Sequence, residues 1–443
     1  MIVESRQTIL DIFELSQQQS EVFVIPVFTN IHKHPAENKL SLLYLASNDK
    51  DYIIPVNHPD SDIQFTIKQV EGILSKFSYI HVNDKKEFLH TFKWAKHQSR
   101  KVLDINLADW FITNKPTDIT GISTTAHDFI ERKYMTYPRV NTIIPIYKHL
   151  EKCRSIKENT FKHYNIVNVD TIQQRHPYNR YNEDMLYTFY AIESSGIHTN
   201  AKLEFTQYNP YTSTGRPSNR YGGVNYAALN KEDGSRDRFT SRFDGGKMLE
   251  FDFDAYHIRL MAEVVGYKFP DTSVHEYLGK QYFGKDVLTE EEYKESKALS
   301  FKIIYGGIPK EMREIEFFGK IHAFTRELWK KFKSEKFITT YLLQRRLHAD
   351  NLSEMNAPKL FNYYLQALET ESNVLILKEV FKVMSGYKSK LVLYTYDSFT
   401  FDYNPSDGEQ FFTDIKNAMK YPVKGQIGDT YNTLESLVFE HAI

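Results

Sequence analysis

Residues 249–262 read LEFDFDAYHIRLMA, a segment whose apolar pattern changes within a few residues. The apolar run at 248–253 predicts a β-strand, and the spacing at 255–265 predicts a helix that ends at Gly266. Asp252 lies where the strand ends, in otherwise apolar surroundings. Burying a carboxylate there is costly unless it binds a cation or a polar partner. The segment therefore predicts a strand–helix junction that carries a functional acid.

A second isolated acid lies within residues 390–403, KLVLYTYDSFTFDY. Alternation with a period of two on either side of Asp397 predicts a β-hairpin with this acid at its turn. Two such carboxylates, brought together by the fold, could hold a pair of Mg²⁺ ions, which prefer oxygen ligands. Taken singly, each aspartate is better explained as the cap of a turn.

A helical pattern at 290–305 is followed by two glycines, which predict its end. Lys297, Phe301 and Tyr305 are spaced four residues apart and fall on one stripe of this helix. A cation followed by two aromatic rings suits a nucleotide, with the lysine on the phosphates and the rings on the sugar and base. On spacing alone, an ordinary amphipathic helix with a lysine reaching to solvent explains the pattern better.

The composition indicates a soluble globular protein: 443 residues, 41% hydrophobic and 26% charged, enough for about two to four domains. The net charge is −1, so any grip on nucleic acid must come from local clusters. Cys153 is the only cysteine, which fits a reducing compartment. No apolar run reaches the roughly 18 residues of a membrane span, and the N-terminal residues lack the plan of a signal peptide. We therefore expect a cytoplasmic protein with no membrane partner.

Five segments, in this order along the chain, resemble motifs of the family A DNA polymerases. They are TSTGRPSN (212–219), LEFDFDAYHIRLMA (249–262), KALSFKIIYG (297–306), NYYLQ (362–366) and YTYDSF (394–399). The third matches the family's KxxxFxxxYG fingers helix closely. The resemblance implies an α+β fold of the right-hand type, with palm, fingers and a reduced thumb. It also implies an enzyme that copies a DNA template by adding dNTPs to the 3′ end of a primer.

The resemblance implies a role for each matching residue around the reaction. Asp252 and Asp397 would bind two Mg²⁺ ions together with the backbone carbonyl of Phe253. Lys297 would hold the incoming triphosphate and help to protonate pyrophosphate. The expected catalytic residues are therefore Asp252, Asp397 and Lys297.

The nucleotide and the DNA would be held by further matching residues. Phe301 would pack on the sugar of the incoming nucleotide, and Tyr305 would stack near the template base. His257 stands where the family usually has a Glu that, with the fingers tyrosine, blocks a ribose 2′-hydroxyl. We expect His257 to fill that space and to hydrogen-bond Tyr305, so that a weakened preference for dNTPs survives. The residues expected to bind primer–template DNA are Arg216, Asn225, Arg259, Asn362 and Gln366. Of these, Arg259 would support the site from the palm.

Residues 1–141 resemble the family's 3′–5′ exonuclease domain, an α/β fold of the RNase H-like type, but without its metal-binding acids. Val27 and Thr29 stand where the first Asp-x-Glu belongs. The middle acidic segment looks deleted before Val102, and Asn141 replaces the last Asp. That exonuclease needs carboxylates to hold two metal ions. We expect a folded exonuclease-like domain with no activity.

The order of the motifs predicts the domain boundaries. We expect an exonuclease-like domain at 1–141, a reduced thumb or connector at 142–198, the first part of the palm at 199–262, fingers at 263–345 and the second part of the palm at 346–443. A short thumb wraps little duplex, so we expect low processivity or help from a processivity factor or another replisome protein. The small size hints at a viral or plasmid origin, and in the viral case the host cytoplasm would be the site of action.

Two other functions remain open. The first is a single-subunit RNA polymerase, because these enzymes share the palm acids and a related fingers helix. The histidine at position 257, in place of the usual glutamate, is compatible with this alternative. The second alternative is a catalytically retired polymerase that serves as a DNA-binding scaffold. Retention of Asp252, Asp397 and Lys297 argues against it, because a retired site has no reason to keep isolated acids. Incorporation of rNTPs against dNTPs separates the first alternative, and any incorporation at all excludes the second.

Overall fold

A computed structural model describes residues 1–29, 33–93, 99–113, 145–173, 175–219, 226, 229–230, 232–270, 272–348 and 354–437. The chain divides into two compact units, Met1–Ser194 and Ser195–Ile443. The finer division into five segments stays a prediction. Asn141 and Asn225 lie outside the described residues.

The first unit is built on a five-stranded sheet with the strand order β3-β2-β1-β4-β5. The strands β1 to β3 are antiparallel neighbours, whereas β4 and β5 run parallel to β1. The stretch before Val102, where the sequence resemblance placed a deletion, contains β4 and a helix. The bounds are β1 (Glu21–Phe28), β2 (Leu40–Ser47), β3 (Lys50–Pro55), β4 (Tyr79–Val82) and β5 (Val102–Asp104).

Helices cover this sheet on both faces. Alternate residues of β1 enter different cores: Val24 packs in a cluster with Phe88, whereas Phe23 packs in a cluster with Leu150 and Cys153. Successive side chains of a strand point to opposite faces, so the continuously apolar strands indicate a sheet buried on both sides. The helices are α1 (Arg6–Gln18), α2 (Ile67–Leu74), α3 (Lys85–Thr91), α4 (Ile105–Thr113), α5 (Ile146–Gln173), α6 (Arg175–Arg180) and α7 (Leu186–Ser195).

The second unit is centred on an antiparallel sheet with the order β13-β14-β10-β15-β16. The central strand is β10, which pairs with β14 on one side and β15 on the other. The bounds are β10 (Lys247–Phe253), β13 (Lys390–Thr395), β14 (Ser398–Tyr403), β15 (Val423–Gly428) and β16 (Glu435–Ser436). Three two-stranded ribbons complete the strands: β6 (Ile197–His198) with β7 (Leu203–Glu204), β8 (Tyr208–Asn209) with β9 (Ser218–Asn219), and β11 (Phe337–Thr339) with β12 (Arg346–His348).

The helices of the second unit carry clear start signals in the sequence. Thr289 and Glu292 form a capping box at the start of the helix predicted at 290–305, and Gly307 follows its end with a positive φ of 96°. Asn356 caps the helix Ala357–Met384 through the N–H of Lys359. The helices are α8 (Tyr256–Val264), α9 (Val274–Phe283), α10 (Glu290–Gly306), α11 (Glu316–Glu335), α12 (Ala357–Met384) and α13 (Gln410–Ala418).

The local predictions at the two acids agree with these elements. The strand predicted at 248–253 is β10, the helix predicted at 255–265 is α8, and the hairpin predicted at 390–403 is β13 and β14. None of the described helices is both long enough and apolar enough to cross a membrane.

Candidate active site

Asp252 lies at the end of the central strand β10. In register it faces Ser398 of β14 on one side and Lys424 of β15 on the other. Just beyond the strand, Ala255 adopts a left-handed φ of 52°, and α8 begins at Tyr256. A left-handed non-glycine residue is strained, and the surrounding structure must hold it in place. This sharp strand–helix turn leaves the Asp252 side chain open to solvent at the end of a buried strand.

Asp397 reaches the same place from the β13–β14 turn. Its neighbour Tyr396 has a positive φ of 65°, and the Asp397 carbonyl accepts the N–H of Phe253 at 2.9 Å. Asp252 and Asp397 both line one pocket of about 470 Å³. Other residues that the sequence predicted line it too: Arg216, Phe253, His257, Lys297, Phe301 and Tyr305.

The pocket disfavours the ionised forms of both Asp252 and Asp397. Asp252 is exposed, but the pocket around it limits its hydration, and this partial desolvation, together with the charges of Asp397 and Glu250, raises its pKa to about 7. Burial also raises the pKa of Asp397, and the charge of Glu369 adds to the effect. Lys297 counteracts the rise only in part at Asp252. Carboxylates whose ionised form is penalised in this way are suited to a bound cation.

The donor set fits a divalent cation of the Mg²⁺ type. Mg²⁺ takes oxygen ligands, keeps several waters and needs only one or two carboxylates from the protein. Asp252 and Asp397 supply two carboxylates, and Phe253, the predicted carbonyl ligand, lines the same pocket. These residues would hold the metal.

Helix α10 presents its predicted stripe to the pocket. Lys297 is exposed, Phe301 is half-buried and Tyr305 is 40% exposed. The rings of Phe301 and Tyr305 are almost parallel, with an interplanar angle of 5° and centroids 6.0 Å apart. The stripe therefore forms a wall of one cation and two parallel rings that faces the acids.

His257 joins helix α8 to this wall. Its Nδ1 lies 2.5 Å from the Tyr305 hydroxyl, and its Nε2 lies 3.1 Å from Oε1 of Glu369. The histidine is buried, and its ring meets that of Tyr305 edge-on at 5.7 Å. The contact between residues 257 and 305 that the sequence predicted is present in the structure.

The residues predicted to touch DNA fall into different environments. Asn362 and Gln366 lie on α12, where the Asn362 side chain donates to the Tyr305 carbonyl at 2.9 Å. The hydroxyl of Thr214 donates to Oε1 of Gln366 at 3.3 Å. Asn362 therefore contacts the pocket residue Tyr305 directly, whereas Gln366 contacts the segment that precedes the pocket residue Arg216.

Arg259 faces the turn that follows Asp252. Its Nε donates to the Asp254 carbonyl at 2.9 Å, and its terminal nitrogen lies 3.4 Å from the Asp254 carboxylate. The same carboxylate lies 3.0 Å from Nζ of Lys424. The arginine braces this turn, a position that suits the predicted support from the palm better than a contact with DNA.

Among the pocket residues that the sequence did not predict are Glu369, His275 and Lys424. Glu369 follows Asn362 and Gln366 at the i, i+7 and i, i+3 spacing of one helix face, which is the signal that could have found it. Burial lowers the pKa of His275 to about 4, so this ring is neutral beside Phe301. Nothing in the local pattern around it distinguishes His275 from an ordinary core residue.

A separate cluster in the first unit consists of His34, His90 and Glu193. Its ligand-type atoms lie within 4.8 Å of one another, but the Glu193 carboxylate is already ion-paired with Lys86. Nδ1 of His34 accepts the N–H of Ala36 at 3.1 Å, whereas metal-bound histidines donate from their second nitrogen. A charge-neutralised polar core explains this cluster better than a metal site.

No protein-family model matches the sequence, and no curated protein matches it. Among solved structures, the POL domain of Pol1 from M. smegmatis, in complex with DNA primer-template and dNTP, matches with a TM-score of 0.70. The match covers 98% of this chain and 100% of that chain, at 14% sequence identity.

The fold is similar to that of a DNA polymerase domain. The likeness extends over nearly the whole chain, so it includes both units. At this identity it shows the fold alone, and the activity has to be argued from the pocket.

Proposed function

We propose that the protein is a template-directed DNA polymerase that adds dNTPs to the 3′ end of a primer. The observation that carries this proposal is the convergence of Asp252, Asp397 and Lys297 on one pocket. These residues come from a strand end, a hairpin turn and a helix that are far apart in sequence. Two acids and a cation around a polar cavity match the needs of phosphoryl transfer, which depends on positioning and charge stabilisation.

Asp252 and Asp397 hold the divalent metal in this proposal, with the Phe253 carbonyl as a further oxygen ligand. Two bound Mg²⁺ ions supply stabilisation of both the attacking and the leaving oxygen of an in-line displacement. The raised pKa values of both acids support this assignment, because a bound cation offsets the free-energy cost of ionising the two carboxyl groups.

The wall on α10 receives the nucleotide. Lys297 holds the triphosphate and stands ready to protonate the leaving pyrophosphate. Phe301 packs on the sugar and Tyr305 lies at the pocket rim near the template base. The parallel rings of the two aromatics offer a flat apolar surface, which suits stacking.

The primer–template lies on the side of the pocket formed by α12 and the segment around Arg216. Asn362, Gln366 and Arg216 provide polar groups at that side. The primer–template and dNTP in the M. smegmatis complex support this proposal by likeness of fold. Asn225, the remaining predicted contact, lies outside the described residues.

The first unit is proposed to be an exonuclease-like domain without activity. At the positions expected for its first two acids, Val27 is buried and the Thr29 hydroxyl donates to the Asn38 side chain at 3.2 Å. On β5, the Asp104 carboxylate accepts the N–H groups of Lys85 at 2.7 Å and Leu107 at 2.8 Å. These residues serve the local fold and supply no pair of open metal ligands.

An RNA polymerase is the second candidate. The discriminating feature is position 257, where the histidine fills the space beside the Tyr305 hydroxyl. A filled wall at this position favours the smaller deoxyribose, which supports a DNA polymerase over an RNA polymerase.

Single-nucleotide incorporation tests the proposal. Four primer–templates that differ only in the first unpaired template base are each incubated with Mg²⁺ and one dNTP or one rNTP at a time. We expect the complementary dNTP to be added in every case and EDTA to stop the reaction. Preferred addition of rNTPs would point to the RNA polymerase. A folded protein that binds primer–template and adds nothing would be the retired scaffold.

A further inference from the structure

Glu369 is a buried carboxylate at the back of the pocket. It is 1% exposed and lies midway along helix α12. Its Oε1 lies 3.1 Å from Nε2 of His257, and its Oε2 lies 3.0 Å from Nε of Arg216. A buried charge is stable only when it is closely paired, so these two partners explain how the carboxylate is tolerated.

The charge of Glu369 dictates where the hydrogen of His257 lies. Neither the Nε2–H of His257 nor the Nε–H of Arg216 is aligned for a hydrogen bond with the Glu369 carboxylate, so the attraction between these groups is mainly electrostatic. The negative charge of the carboxylate 3.1 Å away repels a bare nitrogen and attracts an N–H group, so it favours the tautomer of His257 with the hydrogen on Nε2. In the neutral imidazole, Nδ1 is then the acceptor and the Tyr305 hydroxyl is the donor.

Arg216 extends the same arrangement to the other acid. Its guanidinium lies over the ring of Tyr396, 3.7 Å from the centroid, and Tyr396 directly precedes Asp397. Glu369 is thereby linked to two parts of the site. It is linked to Tyr305 through His257, and to the turn at Asp397 through Arg216. The influence of its charge on the pKa of Asp397 is consistent with this position.

We propose that Glu369 is a positioning residue that fixes the Tyr305 hydroxyl through His257 and thereby sets discrimination between dNTPs and rNTPs. This inference rests on the proposed polymerase function. A dNTP and an rNTP differ by a single hydroxyl group. The relative use of the two substrates therefore tests directly the part of the pocket formed by the His257 imidazole and the Tyr305 phenol. Glu369 acts through other residues and need not touch the substrate.

Glu369→Gln changes one property of this arrangement. The amide has nearly the same size as the carboxylate but carries no charge, so it removes the electrostatic attraction to Nε2 of His257 and to the guanidinium of Arg216. Both links are therefore weakened without a change in packing. Glu371→Gln is the matched control, because Glu371 is on the same helix, fully buried, and accepts the N–H groups of Leu342 and Leu343 instead.

The experiment measures kcat and KM for one dNTP and the matching rNTP with the wild type, E369Q, E371Q, Y305F and the double variant E369Q/Y305F. Loss of one buried electrostatic contact of this kind corresponds to about a tenfold change in an equilibrium constant, so we expect E369Q to lower the dNTP-to-rNTP ratio of kcat/KM about tenfold. E371Q should leave the ratio unchanged. In the Y305F background, E369Q should change the ratio by less than about twofold, because both substitutions act on one pathway.

Several results would overturn the inference. E369Q could slow both substrates equally, which is the behaviour of a purely structural residue, or its effect could add fully to that of Y305F. If E369Q does not fold, Glu369→Asp is the second variant, and an unchanged ratio in E369D would equally exclude the role. A wild type that extends primers with an unchanged ratio in E369Q overturns this inference alone. A wild type that adds no nucleotide of either kind overturns the proposed function as well.

Discussion

The backbone N–H of Phe253 donates to the backbone carbonyl of Asp397 at 2.9 Å, and this bond ties together the two turns that carry the acids. Phe253 follows Asp252 directly, so the bond fixes the spacing of the carboxylates independently of their own charges. An active site for two metal ions needs that spacing before the metal arrives, because both carboxylates repel each other in its absence.

The raised pKa of Asp252 predicts an unusual effect on stability. The folded-state pKa of about 7 lies above the ordinary value of 3.8, so the folded protein binds this proton more tightly than the unfolded chain does. Without metal, ionised Asp252 therefore destabilises the fold above pH 7, and this penalty is relieved as the pH falls from 7 towards 4. We expect Asp252→Asn to melt at a higher temperature than the wild type at pH 8 in EDTA, and the gain to shrink at pH 5.

Thermal denaturation at the two pH values measures this, and added Mg²⁺ should favour the wild type over the variant. Asp429→Asn is a suitable control, because Asp429 is a 78% exposed acid that pairs with Lys247 at the other end of β10. A gain for Asp252→Asn that is equal at both pH values would contradict the argument.

Lys297 is expected to act on the triphosphate rather than on the fold. It is exposed on α10 and lines the pocket, so its removal costs little packing. Loss of one preorganised charge at a reacting centre typically lowers the rate about 10²–10³-fold, and we expect Lys297→Ala to lower kcat/KM for dNTPs by that amount. Lys302→Ala, an exposed lysine on the same helix outside the pocket lining, should stay close to the wild type in the same steady-state assay. Equal losses in both variants would reject the assignment.

Position 257 does not accommodate the glutamate that family A DNA polymerases, which the sequence resembles, usually carry at the matching position. His257→Glu would place a second carboxylate beside Glu369, whose oxygen is 3.1 Å from the present Nε2. Like charges at that distance in a buried site are destabilising, so we expect His257→Glu to lower both the melting temperature and the extension rate. Adding Glu369→Gln should recover much of the loss. A single variant as stable and as active as the wild type would contradict this prediction.

No 3′–5′ degradation is expected from the first unit. Val27 and Thr29 offer no carboxylate, and Asp104 is engaged by two backbone N–H groups. A labelled primer incubated with Mg²⁺ and no dNTP should stay intact, as seen by gel electrophoresis. Metal-dependent shortening that persists in Asp397→Ala would mean that an exonuclease site exists elsewhere in the chain.

The elements around the site follow from local signals in the sequence. A capping box at Thr289 and two terminal glycines bound α10, and alternation bounds the hairpin at Asp397. Such signals depend on neighbouring residues and can be read without knowledge of the fold. The resemblance to polymerase motifs then indicated which elements meet.

The role of Glu369 depends on contacts that no local pattern contains. Its partners Arg216 and His257 precede it by more than a hundred residues, so the helical spacing of Glu369 with Asn362 and Gln366 does not reveal what its carboxylate contacts. His275 is hidden for the same reason: only the fold brings it beside Phe301. Long-range polar partners of this kind require the tertiary structure.

The central claim is that Asp252 and Asp397 together form a metal-dependent nucleotidyl-transfer site. The most direct measurement is the rate of Mg²⁺-dependent primer extension with dNTPs by the wild type, Asp252→Ala, Asp397→Ala and the control Asp429→Asn. We expect extension by the wild type and the control, and a loss of at least about 10²–10³-fold in each of the other two variants. Template-directed extension that continues at the wild-type rate in Asp397→Ala would contradict it.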